Sequence, residues 1–446
     1  MSDCDRLRTL SELIAFLEPF HPLADIPLAP FITDNLFHTT VLPLFPSSQD
    51  ADPALLFPQF WDFCVVLWKS PITEYPEARN PWEKLARDAA CKCRLLVSGP
   101  PPEADAVDGK LASVMMMSEK KLQEICAMAP VVRDVAEECQ VRQVVDVGCG
   151  KGYLSAWLSL RDGLDVLGVE MSASNIQGAA TRLRRLNQQW NAVRKRLPVA
   201  GDSGGPGRLT FACQAVGEDA QLDGVDGRFV VCGLHACGSL SDHIIRMFQR
   251  NDQAAGLVLV PCCYHLMEER FEGGNCSAAA AFPSSTFLQS RRYRLGRNAR
   301  MLASQSVERT LADRAAFERS VRALFFRALL QVVLRRHGLE ERVQSVGSIK
   351  TVNGDFVAYA REALDDVPMD EEELEAVYRE YAPVELQLRL VCLTRILLAP
   401  LIEQIILLDR ACALDERDDI GDVGVVDLFD PRVSPRRWAV VAQKKL

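Results

Sequence analysis

The sequence predicts an α/β protein: a doubly wound, mostly parallel sheet with an antiparallel last strand, a helical N-terminal region and a mostly helical insertion. Three observations predict it. Short apolar runs of strand length alternate with helical segments between about Leu111 and Tyr264, the pattern of βαβ units. A glycine-rich turn, Gly148-Cys149-Gly150-Lys151-Gly152, joins the first run to a helix. After an interruption the alternation resumes with an apolar-faced helix and two closing strands.

The elements follow in order. Residues 1–97 read as a helical N-terminal domain: Leu10, Leu13, Ile14 and Leu17 fall at helical spacing, and Phe60–Lys69 is a second apolar helix. Prolines from Pro19 to Pro58 cut the stretch between into short pieces. Residues 98–110, with three successive prolines and acidic side chains, read as a linker. The sheet domain is expected over 111–269: a helix at Glu119–Cys139, then strands at Val144–Val147, Val166–Val169, Leu209–Cys213, Phe229–Leu234 and Leu257–Val260. A basic helix, Asn175–Arg196, and a loop, Pro198–Arg208, separate the second strand from the third. Residues 270–385 form the insertion, with a long helix at Leu311–Arg336. Residues 386–446 return to the sheet through the helix Glu385–Leu414 and strands Val423–Phe429 and Trp438–Ala442, a hairpin at the sheet edge.

Composition narrows the function classes. Hydrophobic residues are 48% and charged residues 25% of the 446, a globular balance that excludes wholesale disorder. Lys and Arg number 51 against 60 Asp and Glu, a net charge of −9, so nucleic-acid contact needs a local basic patch. The polar start, Met1–Arg8, has no signal-peptide pattern, so the 15 cysteines are expected to be reduced thiols. The apolar stretch Ile396–Leu408 is interrupted by Glu403 and Gln404 and is too short to span a bilayer. The expectation is a soluble protein of the cytoplasm or nucleus.

The glycine turn is the sharpest signal. Glycines let the chain turn tightly and let a ligand approach the backbone, and the following helix offers free N–H groups. The pattern is neither the dinucleotide G-x-G-x-x-G nor a P-loop. Asp146 at the strand end would repel a pyrophosphate and attract an ammonium or sulfonium group. Glu170 closes the next strand, where an acid can hold two ribose hydroxyls. An aminoacyl nucleoside meets both demands, so S-adenosylmethionine fits better than NAD.

At these residues the chain resembles the methyltransferase-like protein 25 family, within the class I S-adenosylmethionine-dependent methyltransferases. Further strings carry the resemblance: Met117-Ser118-Glu119-Lys120-Lys121, Gly233-Leu234-His235-Ala236-Cys237-Gly238, Cys262-Cys263-Tyr264-His265-Leu266, Gly296–Met301, Leu428–Pro431 and Ser434-Pro435-Arg436. They span most of 117–446; residues 1–97 match less clearly. The resemblance implies a Rossmann-like methyltransferase sheet. The chain departs from the family at Gln123, Ser239 and Pro261, where the family commonly has His, an acid and Gly.

The expected cofactor residues are Asp146, Gly148, Gly150, Gly152 and Glu170, with Lys120 and Leu234 beside them. Lys120 or Lys121 could meet the methionine carboxylate or a substrate phosphate. Ligands of doubly wound sheets bind at the C-terminal strand ends, so the fourth and fifth strands should bring His235, Cys262 and Tyr264 to the chemistry. His235 is the candidate base or polar wall; its other reading is a loop-fixing histidine. Cys262 is a candidate nucleophile toward a pyrimidine ring, and Tyr264 could stack on a planar group. His235, Cys237, Cys262, Cys263 and His265 offer zinc-binding atoms, but not at knuckle spacing, so no metal is expected.

Two basic stretches, Arg182–Arg196 and Arg291–Arg300 with Tyr293, suit phosphate and base contact. The expected activity is methyl transfer to a macromolecule, RNA slightly before protein. The alternative is an inactive methyltransferase-fold scaffold.

Overall fold

The computed structural model describes residues 3–46, 52–93, 111–113, 115–194, 206–217, 222, 224–272, 280–339, 354–364, 367 and 369–445. The expected linker, 98–110, lies outside them, as does most of the loop Pro198–Arg208.

Seven strands form one sheet: β1 (Gln143–Val147), β2 (Asp165–Glu170), β3 (Leu209–Cys213), β4 (Phe229–Cys237), β5 (Ala254–Cys262), β6 (Ile420–Asp427) and β7 (Trp438–Lys444). Their order is β3-β2-β1-β4-β5-β7-β6. The first five pair in parallel, and β7 runs antiparallel to both β5 and β6. The predicted edge hairpin is present, with β7 on its inner side. The order reverses between β1 and β4, and this switch point opens a crevice at the strand ends.

Alternation along each strand builds two core layers. Val144, Val166, Val230, Val258 and Val260 pack on one face with Ile125 and Trp157. Val145, Val147, Val231, Leu257 and Leu259 pack on the other with Ile244 and Phe248. Strands β4 and β5 are buried on both faces, which is why they read as unbroken apolar runs. Both extend past those runs, to Cys237 and Cys262, because backbone pairing continues where the side chains turn polar or reactive.

Contacts divide the chain into two compact units. The first holds Met1–Glu12, Leu95–Gly296 and Glu403–Leu446, and so contains the whole sheet. The second holds Leu13–Arg94 and Arg297–Ile402. These bounds differ from the expected ones: the N-terminal helices and most of the insertion form one body. Within it Phe57 stacks on Phe317 at 6.2 Å, and Asp25 accepts hydrogen bonds from the Asn298 and Ala299 amides. Each segment leaves an apolar face that the other covers, a pairing that linear patterning does not show.

The helix Val384–Asp415 runs 32 residues and is long and apolar enough to cross a membrane, yet 89% of its most apolar window is buried within the protein. In the sheet unit its C-terminal part is anchored by polar groups. Buried Arg410 pairs with Asp242 at 2.8 Å, and Asp409 accepts hydrogen bonds from the Ser284 and Ser285 amides. Burial pushes the Asp409 carboxyl up to about 6. Glu403, on the same helix, reaches the loop after β5, where Tyr264 donates to it at 2.9 Å.

Candidate active site

Gly148, Gly150 and Gly152 all have positive φ (71°, 55° and 71°), the left-handed region that side chains disfavour. A Cβ at Gly152 would strike Phe211 at 2.9 Å, so that glycine is needed for packing. A Cβ at Gly150 would meet nothing nearer than the Gly148 carbonyl at 4.0 Å. Gly150 therefore borders open space, the place a ligand approaches the backbone. The helix Tyr153–Leu160 starts directly after the turn.

The two acids differ in placement. Glu170 is half-buried at the end of β2 and accepts hydrogen bonds from the Gly150 amide (3.0 Å) and the Ser172 amide (2.9 Å). Its carboxylate is held in place over the turn. Asp146 is only 1% exposed and accepts a 2.6 Å bond from Ser155 Oγ. Burial pushes its carboxyl up to about 6, against the pull of the Ser155 bonds and the Lys121 charge. Asp146, expected to meet a cationic group of the ligand, is thus buried at the end of β1 with its carboxylate held by Ser155.

At the end of β4, His235 sits in a register break between Leu234 and Ala236, with φ of 64°. A non-glycine residue held there stores local strain, a feature that concentrates at functional sites. Its Nε2 lies 2.9 Å from Glu124 Oε1. Glu124, on the helix Glu119–Glu138, is 1% exposed and also accepts from Lys121 Nζ (2.8 Å) and Ser434 Oγ (2.9 Å). Burial raises its affinity for a proton, but the hydrogen bonds from His235 and Lys121, with the Lys121 charge, outweigh this and hold it well below the usual carboxylate range. An ionised acceptor at Nε2 puts the ring proton there and leaves the Nδ1 lone pair free. Nδ1 is buried and has no partner among the described residues.

Glu124 and Ser434 were missed as site residues. The available signal was an acid spaced three and four residues from the lysine pair on one helix face. Lys120 lies farther from Glu124 than Lys121 does, 3.7 Å against 2.8 Å. Leu234 is half-buried and packs on the core cluster that holds Val144 and Val230.

The fifth-strand candidates change role. Tyr264 is 1% exposed with its hydroxyl spent on Glu403, so it has no free face for a planar substrate. Cys262 is 3% exposed, and its bond to Cys237 together with burial pushes its thiol far up, the wrong direction for a nucleophile. Cys237, exposed and 3.1 Å from Cys262, is the thiol that the shared bond pushes down, to about 6.

The basic stretches divide likewise. Arg182 donates to the Lys151 carbonyl and covers Tyr153 at 4.3 Å, so it braces the glycine turn. Arg184 and Arg185 are exposed, while Lys195 and Arg196 lie outside the described residues. A cavity of about 900 Å³ along this helix is lined by Met115, Met116, Gln177, Thr181, Arg182 and Arg185 among others, and by no residue of β4 or β5. Arg291, Arg292 and Arg294 are exposed, whereas Arg300 is buried and belongs to the helical unit.

The sheet order and the turn define a class I methyltransferase fold, and residues 120–270 match the family model of a methyltransferase domain. More of the chain is similar to the probable methyltransferase-like protein 25 of Mus musculus, 27% identical over 463 residues, covering 76% of this chain and 77% of that protein. The Homo sapiens counterpart is 28% identical over 458 residues, covering 75% and 76%. The resemblance seen in the signature strings therefore holds along three quarters of the chain. Among solved structures, the O-methyltransferase TomG of Streptomyces achromogenes is 17% identical with a TM-score of 0.24, covering 51% of this chain and 88% of that one.

Proposed function

We propose that this chain is an S-adenosylmethionine-dependent methyltransferase acting on a macromolecule, RNA before protein. The observation that carries methyl transfer is the Gly148–Gly152 turn, open above Gly150 and flanked by the fixed carboxylate of Glu170. That arrangement fits an aminoacyl nucleoside: a ribose meets an acid, and the rest of the ligand meets bare backbone. When bound, S-adenosylmethionine supplies an electrophilic methyl on a sulfonium.

The chain's own residues do the rest. Glu170 holds the ribose, and the turn fixes the ligand's depth. Glu124 fixes the His235 tautomer, and a substrate proton would move to Nδ1, which has no partner among the described residues. Positioning at the strand ends supplies much of the rate. Support for RNA comes from exposed Arg184, Arg185, Arg291, Arg292 and Arg294, whose planar cations suit phosphate and stacked bases. Localisation in the cytoplasm or nucleus accompanies this reading.

The test is transfer of radiolabelled methyl from S-adenosylmethionine into size-fractionated, substrate-containing extract. Label in a nuclease-sensitive fraction supports RNA; label in a protease-sensitive fraction selects protein. No label above a Gly150→Arg control supports the scaffold alternative and overturns catalysis.

A further inference from the structure

Methyl transfer as argued above leaves the sulfur atoms at the ends of β4 and β5 without a task. Cys237 and Cys262 are register partners on these adjacent strands, with their sulfurs 3.1 Å apart. Cys263 follows, and the three sulfurs all lie within 4.8 Å of one another. Consecutive side chains of a strand point to opposite faces. Cys263 escapes that rule because its φ is 50°, which takes it out of the strand and brings its sulfur to the same place as Cys262.

Metal–thiolate bonds of about 2.3 Å at tetrahedral angles put ligand sulfurs roughly 3.8 Å apart. The one close pair, at 3.1 Å, and the 4.8 Å limit on all three lie within about 1 Å of that separation, so small side-chain rotations would close them around one ion. The surroundings suit the resulting charge. Three thiolates and one divalent cation carry a net charge of −1. The Arg436 guanidinium acts electrostatically on both Cys237 and Cys263, and its Nε is buried with no hydrogen-bond partner among the described residues. In the loop directly after Cys263, His265 Nδ1 is likewise buried with no hydrogen-bond partner among the described residues.

We propose that Cys237, Cys262 and Cys263 form a three-thiolate site for a zinc-class divalent cation. Binding replaces three S–H bonds with three metal–sulfur bonds and releases three protons to solvent. Three protein ligands leave one tetrahedral position for a further donor, the arrangement of zinc sites that take a water or a substrate atom. Sequence spacing hides the site, because one ligand lies 25 residues upstream of an adjacent pair and only the β4–β5 register unites them.

The test uses the full chain, purified under a non-thiol reductant, stripped with a chelator and titrated with Co²⁺ as the spectroscopic stand-in for zinc. The expected result is saturation at one ion per chain. Thiolate-to-cobalt charge-transfer absorption and tetrahedral visible bands should appear, and Zn²⁺ should abolish both. Cys237→Ser and Cys263→Ser should each weaken binding by at least about tenfold. Cys4→Ser, exposed at the N-terminal helix, should leave binding unchanged. Circular dichroism melts confirm that each variant is folded; Cys237 is exposed, so its replacement leaves the core intact. Absence of a thiolate band in folded, reduced protein overturns the site. So does a band that survives the triple Cys→Ser variant. A Cys237–Cys262 disulfide found by mass spectrometry under the same reducing conditions also overturns it.

Discussion

The two halves of the sheet's C-terminal edge solve different problems with different materials. Around β1 and β2 the site is made of backbone: three left-handed glycines, a helix start and a carboxylate pinned by two amides. Around β4 and β5 it is made of side chains that titrate: His235, Glu124 and three thiols. The first half suits a ligand that must be held the same way every time. The second suits proton movement or metal binding, which needs groups with adjustable charge. Damage to the first half should therefore appear in binding, and damage to the second in turnover or metal content.

The largest expected effect is in the backbone half. Gly150→Arg places a side chain in the open space above the turn, at a φ of 55° that arginine disfavours. Calorimetry with S-adenosylmethionine should show binding abolished; heat equal to the parent's would break the comparison. Glu170→Ala should weaken the same binding by about 1–3 kcal/mol, the scale of a charged hydrogen bond. The measurement is the dissociation constant, and an unchanged value would remove Glu170 from the ribose.

In the side-chain half, Glu124→Gln keeps the shape but removes the ionised acceptor. Turnover should fall by about tenfold while the cofactor dissociation constant holds, because the His235 ring loses the ionised acceptor that fixes its tautomer. A smaller effect is expected behind this half, at Glu403. Burial pushes this carboxyl up to about 8, against the Tyr264 bond. A carboxyl raised on folding stabilises the protein fully below its unfolded pKa, and that contribution is lost as pH rises through the folded value. Parent stability should therefore decline between about pH 4.5 and 8 relative to Glu403→Gln, which keeps the Tyr264 contact without ionising. Parallel melting curves across that range would sharpen or remove this claim.

The same contrast explains what could be read from the chain alone. The turn was legible because glycines at alternate positions, a strand before and an acid at the next strand end are all local patterns. So were the parallel strands, whose double-sided burial makes continuous apolar runs. The β4–β5 side was legible only as a roll of reactive residues. Which of them are spent depends on partners far away in sequence: Glu124 on His235, Glu403 on Tyr264, Cys237 on Cys262. At Asp146 the position at the strand end is plain in the sequence, but the hydrogen bond from Ser155 is not. The union of residues 13–94 with 297–402 was hidden for the same reason: nothing local tells one apolar helix face which other face will cover it.

The most direct test of this division of labour is His235→Ala, with cofactor affinity, turnover and melting temperature measured on one preparation. Affinity should stay within about threefold of the parent, since the turn and Glu170 are untouched. Methyl transfer should fall by at least roughly 10²-fold, the scale of a lost general base. Turnover per folded molecule equal to the parent's, with only the melting temperature lowered, would contradict it and leave His235 as a brace for the loop.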